Sequence, residues 1–310
     1  MRLLRRRVVA AIPTLFAVIT ITFIIVRAAP GGPFRDERAV PDMVRANIEA
    51  RYGLDESLAV QYLKFWRNLA TGRLGPSFQH PEIPALSVLL DGALPSFIVG
   101  ITATLIALLL GLGGGTLAAV RPRMSPLISA LSLVALAIPV FVIGPLLIRL
   151  FALELGWLPA ALWGSPRHLV LPAITLGLPV GGALARFWRI QLTDSLNSPE
   201  CISARARGLS ELEVVRFHAA PVSLPLLFNY TAPMIAALVT GSVVVEKIFA
   251  LPGMGRYFVD SALARDYPVV IGATLIYAVI LLALHTAADL AHAHLDPRLK
   301  KAYLRNRHEA

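Results

Sequence analysis

The side chains best placed to do chemistry sit near the end of the chain: His285, Asp289, His292 and Asp296, with His294 beside them. On a helix they fall at i, i+4, i+7 and i+11, along one face, a spacing that can hold a zinc ion. A membrane-embedded metal-dependent enzyme would use His285, Asp289 and His292 in this way. The sequence has no His-Glu-x-x-His, and the same stripe also reads as a polar face at the inner end of an apolar helix. Gly111, Gly113, Gly114 and Gly115 resemble a phosphate-binding loop only in being glycines. A strand before them and a Gly-Lys-Ser/Thr ending are missing, so close helix packing is the expectation. No nucleophile–base pair stands out. Glu246, at the end of an apolar run, either gates or holds the loop after it, or reaches to the headgroups as an interfacial carboxylate.

A second group is built for contact rather than chemistry. Between two apolar runs, residues 191–225 form a polar interruption centred on Ser203-Ala204-Arg205-Ala206-Arg207-Gly208-Leu209, with Glu211, Glu213, Arg216 and His218 after it. Ser195 or Ser198 can cap a helix here, and Pro199 and Glu200 suit its first turn. Ala204 and Gly208, one turn apart, would leave one face almost without bulk. Flanked by Arg205 and Arg207, such a face suits docking into a groove on another protein. An amphipathic helix packed on its own chain or on headgroups is the plainer alternative.

The elements that must position these groups are membrane helices. Of 310 residues, 56% are hydrophobic and 15% charged, and the mean hydropathy is +0.67. That balance, with long uncharged runs, describes an all-α integral membrane protein. The net charge of +10 does not point to nucleic acid, because Arg and Lys cluster at the ends of apolar runs. The single cysteine, Cys201, rules out an internal disulfide and a multi-cysteine metal site.

Six spans are expected. Arg2, Arg5, Arg6 and Arg7 precede the first, within residues 1–26, which is too long for a signal-peptide core and contains Pro13. Residues 27–95 turn polar and should form an extracytoplasmic cap, with short amphipathic helices over 40–52 and 57–69. The core, 96–310, holds spans at 96–120, 127–151, 169–187, 226–245 and 269–290. Pro139 and Pro145 inside the third free backbone carbonyls and fit either a pathway-lining helix or a kink. The arginines before span 1, Arg121 and Arg123, the 191–225 stretch and the basic tail 291–310 then share one side, and 246–268 lies on the other. The positive-inside rule makes both termini cytoplasmic.

Several stretches resemble one family. Ser203-Ala204-Arg205-Ala206-Arg207-Gly208-Leu209 is similar to the coupling-loop motif of ABC-transporter permeases, in the form used by the oligopeptide and dipeptide branch. Glu246-Lys247-Ile248-Phe249-Ala250-Leu251-Pro252-Gly253-Met254-Gly255, followed by Arg265-Asp266-Tyr267, resembles that branch's outer loop. Arg27-Ala28-Ala29-Pro30-Gly31, Tyr52-Gly53-Leu54-Asp55, Gly72-Arg73-Leu74-Gly75-Pro76-Ser77-Phe78 and Asp296-Pro297-Arg298 extend the likeness along nearly the whole chain. It is closest to the B-type permease of oligopeptide importers.

The resemblance implies a type I ABC importer permease in the bacterial cytoplasmic (inner) membrane, non-catalytic, forming half of a peptide pathway. It implies a second, C-type permease, two ABC ATPase subunits that bind ATP and Mg in place of any cofactor in this chain, and an extracytoplasmic peptide-binding protein. Residues 203–209 would couple to the ATPase, Arg205 and Arg207 through charge and Ala204 and Gly208 through close approach. Glu246, Leu251, Pro252, Gly253, Gly255 and Asp266 would form the outer loop or gate. Oligopeptides are the favoured substrate; dipeptides, murein peptides, antimicrobial peptides and nickel complexes are the alternatives.

Overall fold

The structure is a computed structural model that describes residues 2–28, 50 and 52–295. The helix expected over 40–52 lies outside them except for Ala50 and Tyr52, as do Ala29-Pro30-Gly31, Asp296 and the rest of the tail. The described residues are helical apart from turns and one isolated bridge between Pro76 and Pro84. Among them, five helices are long and apolar enough to cross a membrane, and a bent pair makes a sixth if counted as one span.

The chain divides into two compact units. The first holds residues 9–95 and 252–279. Here α1 (Arg2–Ala28) presents Ile19 and Phe23 to α2 (Leu58–Ala70), whose Tyr62, Phe65, Trp66 and Leu69 repeat at helical spacing. Phe16 stacks on Trp66 at 5.2 Å, and the Thr20 and Tyr62 hydroxyls share a hydrogen bond of 2.8 Å. Ser57 stands at the N-cap of α2, matching the expected start of that helix. Ile271 of α12 (Tyr267–Leu295) joins the same apolar cluster.

The second unit, residues 96–251 with residues 2–8 and 280–295, is built around α6 (Arg167–Leu196). Small residues let backbones meet there. A Cβ on Gly177 would lie 2.6 Å from the Ala103 carbonyl of α3 (Ala85–Val120), and one on Gly182 2.8 Å from the Ser132 carbonyl of α4 (Ser125–Ala137). Gly111 and Gly115 of α3 press on Leu184 and on the Ala185 carbonyl, whereas Gly113 faces open space. The glycine run is therefore a packing surface at two of its positions.

Three expected boundaries shift. The third run is not one straight helix: α4 and the segment from α5 (Val140–Leu147) to the π turn Ile148–Glu154 meet at 103°. Pro139 lacks an N–H and holds Ile138 extended, which breaks the helix inside an unbroken apolar run. The fifth run divides too, into α9 (Ala220–Val239) and α10 (Val243–Ile248), because Gly241 adopts φ +86°. Finally, α3 begins at Ala85, with Pro95 inside the helix, so the polar segment ends earlier than residue 95.

Candidate coupling site

The polar interruption folds as a compact helical turn between α6 and α9. Ser198 caps α7 (Pro199–Ala206), its side chain accepting from the Cys201 amide at 3.4 Å, with Pro199 in the first turn. The helix closes in a Schellman arrangement. Gly208, at φ +86°, donates to the Arg205 carbonyl at 2.9 Å, and Leu209 donates to Ala204 at 3.3 Å. A capping box follows, in which Ser210 and Glu213 satisfy each other's backbone amides and start α8 (Glu211–Val214). The π turn Val215–Ala219 then leads into α9.

The inward face is packed and the outward face is bare. Cys201 and Ala204 are fully buried beside Val214, Val215 and Ala219, in the chain's own core. Ala204, expected to share a low-bulk docking face with Gly208, is instead buried in the chain's own core, whereas Gly208 is exposed with open space where a side chain would project. Arg205 is likewise engaged at home. Its Nε and Nη2 grip the Glu211 carboxylate at 2.7 and 3.1 Å, and Nη1 donates to the Leu196 carbonyl at 2.9 Å. One guanidinium thus ties the end of α6 to α7 and α8. The hydrogen bond from Arg205 holds the Glu211 carboxyl below the ordinary carboxylate range, and Glu211 in turn raises Arg205. The Ser210 hydroxyl and amide lower Glu213 in the same way.

What remains outward is Ser203, Ala206, Arg207 and Gly208, together with three large apolar side chains: Ile202 at 57% exposure, Leu212 at 73% and Phe217 at 60%. The Arg216 guanidinium lies 5.3 Å from the centre of the Phe217 ring. Sequence reasoning missed the apolar members. The available signal was that each stands out of phase with the buried positions of its own turn.

The outer-loop candidates fall into two groups. Glu246 is only 2% exposed and accepts from the Ser96 hydroxyl at 2.7 Å, so it is no interfacial carboxylate reaching for headgroups. It lies against Gly241, where a Cβ would come within 2.7 Å of Oε1. Leu251 is buried and donates its amide to the Glu246 carbonyl at 2.9 Å, closing α10 through Ala250 at φ +49°. In the first unit, Gly253 starts α11 (Met254–Leu263), of which Met254 and Gly255 are buried; Pro252 precedes it half-buried. Asp266, 1% exposed, accepts from the Ser77 hydroxyl and, at 3.4 Å, from the Gln79 amide, while its other oxygen faces the Val269 amide in the first turn of α12. It anchors residues 77–79 to the start of that helix.

Among the described residues no group of three His, Cys, Asp or Glu could hold a metal ion, and of the His285, Asp289, His292 and Asp296 set only the His285 side chain lies among them. His285 Nδ1 lies 2.8 Å from the Leu281 carbonyl of its own helix. The side chains of Asp289, His292 and His294, and all of Asp296, lie outside the described residues.

The described residues thus form a helical membrane protein with packed spans and a structured turn between two of them. The chain belongs to the family of binding-protein-dependent transport system inner membrane components, matching it over residues 111–301, with the family's N-terminal segment matched over residues 1–94. It is 38% identical to the dipeptide transport system permease protein DppB of Bacillus subtilis, over 96% of this chain and 98% of that one. It is 37% identical to the oligopeptide transport system permease protein OppB of Haemophilus influenzae, over 95% and 98%. The OppB of Escherichia coli K12 is 35% identical, over 97% and 99%. A chain of the inward-facing MetNI methionine ABC transporter, at 20% identity and TM-score 0.57, covers 68% of this chain and 97% of its own length, and shares the fold. The chain is accordingly a multi-pass inner-membrane permease subunit of an ABC importer. It is non-catalytic, works with other permease and ATPase subunits, and leaves ATP hydrolysis to the latter.

Proposed function

We propose that this permease forms half of a pathway for oligopeptides and that the outward face of residues 199–219 is where an ATPase subunit docks. The substrate reading rests on relatives named for oligopeptide and dipeptide transport, with dipeptides as the alternative. One observation carries the docking reading: a turn stapled inward by Arg205, Cys201 and Ala204 exposes Ile202, Leu212 and Phe217 in a segment outside the membrane spans. Apolar side chains held rigidly in a polar setting suit a partner's groove, with Arg207 and Arg216 as the charged rim. Within residues 203–209, Ser203, Ala206 and Arg207 touch the partner; Ala204, Arg205, Gly208 and Leu209 hold the shape.

In this reading both termini and the docking turn are cytoplasmic, and Glu246, Leu251, Pro252, Gly253, Gly255 and Asp266 shape the opposite face. A second permease completes the pathway, two ATPases bind ATP and Mg, and an external binding protein delivers the peptide. ATP-driven closure of the ATPases moves the paired docking turns, and the packed spans follow as a two-state element. The test is ATP-driven uptake of a labelled tetrapeptide into vesicles carrying the whole complex. Leu212→Glu should lower uptake at least tenfold with the permease still inserted, whereas uptake at the wild-type rate would remove residues 199–219 from coupling.

A further inference from the structure

The span Val9–Ala28 has 20 residues, about 30 Å of helix, and it is largely unburied within the chain. Alongside it α2 runs antiparallel, since Phe16 meets Trp66, Thr20 meets Tyr62, and Arg27 donates to Gln61. The first turns of α2 therefore lie level with the last three turns of a membrane span. The two sides of α2 differ there. Lys64, Arg67 and Asn68 are exposed on one side, and Ala59, Leu63 and Ala70, at i, i+4 and i+11, are exposed on the other. On that apolar side an open groove of about 360 Å³ separates α1 from α2. Phe23, Ile24, Leu58 and Ala59 line it, with Ile24 and Leu58 exposed. Its two hydroxyls, on Thr20 and Tyr62, are already bonded to each other, which leaves Arg27 at one end as its polar group. Arg27 closes one end, its guanidinium 5.2 Å from the Phe23 ring centre.

We propose that this groove holds one acyl chain of a bilayer phospholipid, with the headgroup at the level of Arg27. An acyl chain is the apolar, flexible, rod-shaped occupant that the bilayer supplies at this depth, and a cationic side chain at the end of a span sits at headgroup level. The lipid fills the gap between α2 and α1 and packs against the exposed Ile24 and Leu58.

The probe is a phosphatidylcholine carrying a diazirine midway along one acyl chain, doped into phosphatidylethanolamine–phosphatidylglycerol vesicles that hold the whole transport complex. After illumination, mass mapping should place adducts on Ile24, Leu58 or Ala59 at least fivefold above Lys64 and Asn68. Ala59→Trp, which fills the groove from an exposed position, should cut those adducts at least threefold and leave labelling of the exposed Ile12 unchanged. Leu58→Glu, which leaves the groove open but charged, should do the same if the tryptophan variant fails to insert. Wild-type labelling of Ile12 without labelling of the groove would overturn the proposal. So would a protein–protein cross-link from the groove to a neighbouring subunit or a second copy in place of lipid adducts.

Discussion

Gly208 sits at φ +86° with open space where a side chain would project, so substitution there meets backbone strain rather than a clash. A left-handed L residue costs about 1–2 kcal/mol, and Asn less than others. Uptake should therefore fall with Gly208→Ala nearly as far as with Gly208→Glu, and Gly208→Asn should stay close to wild type. A defect confined to Gly208→Glu would instead place the glycine itself at a docking surface. The Arg205–Glu211 pair is mostly exposed, which limits it to about 0.5 kcal/mol. Because the Glu211 carboxyl is lowered, its contribution is present above the ordinary carboxylate range and is lost as pH falls through its folded value. Glu211→Gln should speed amide exchange over residues 205–211 by about twofold at neutral pH. The difference from wild type should shrink as pH falls below the ordinary carboxylate range, and a difference that does not shrink would assign the effect to packing.

Between α9 and α10, Gly241 and Glu246 work as one element. The glycine makes the left-handed turn, and the carboxylate fills the space its missing Cβ leaves. Gly241→Ala adds strain and a 2.7 Å contact, so a loss of more than about 2 kcal/mol is expected, read as a lower unfolding midpoint in detergent. Glu246→Gln, which keeps the shape and an acceptor for Ser96, should be milder than Glu246→Ala; equal losses would show that charge rather than fit matters at this position. The spans were legible in the sequence because apolar runs with arginines at their ends have few other readings. Their breaks were legible only in part. Pro139 was readable as a possible kink, but the backbone alone shows that the run bends there by 103°, and Gly241 lies inside an apolar run with no signal of its left-handed turn. The Ser198 cap could be read from Ser-Pro-Glu. The partner of Arg205 could not, since Glu211 becomes its neighbour only after the chain reverses at Gly208. For the same reason Ala204 looked like an open face when it is a core residue.

At the scale of the whole molecule, family membership spans nearly the full chain, so the permease role does not depend on any one residue. The proposed docking turn is where the local and the global accounts meet: its inward contacts hold its shape, and its outward apolar side chains are what a docked ATPase would cover. The most direct measurement is mild-detergent copurification of the tagged chain from its native membrane, compared with an Ile202→Glu, Leu212→Glu double variant. Wild type should bring down a second permease and ATP-hydrolysing subunits, and the variant should keep the permease while losing the ATPases. ATPases recovered equally with both, or a wild-type chain recovered alone, would contradict the account.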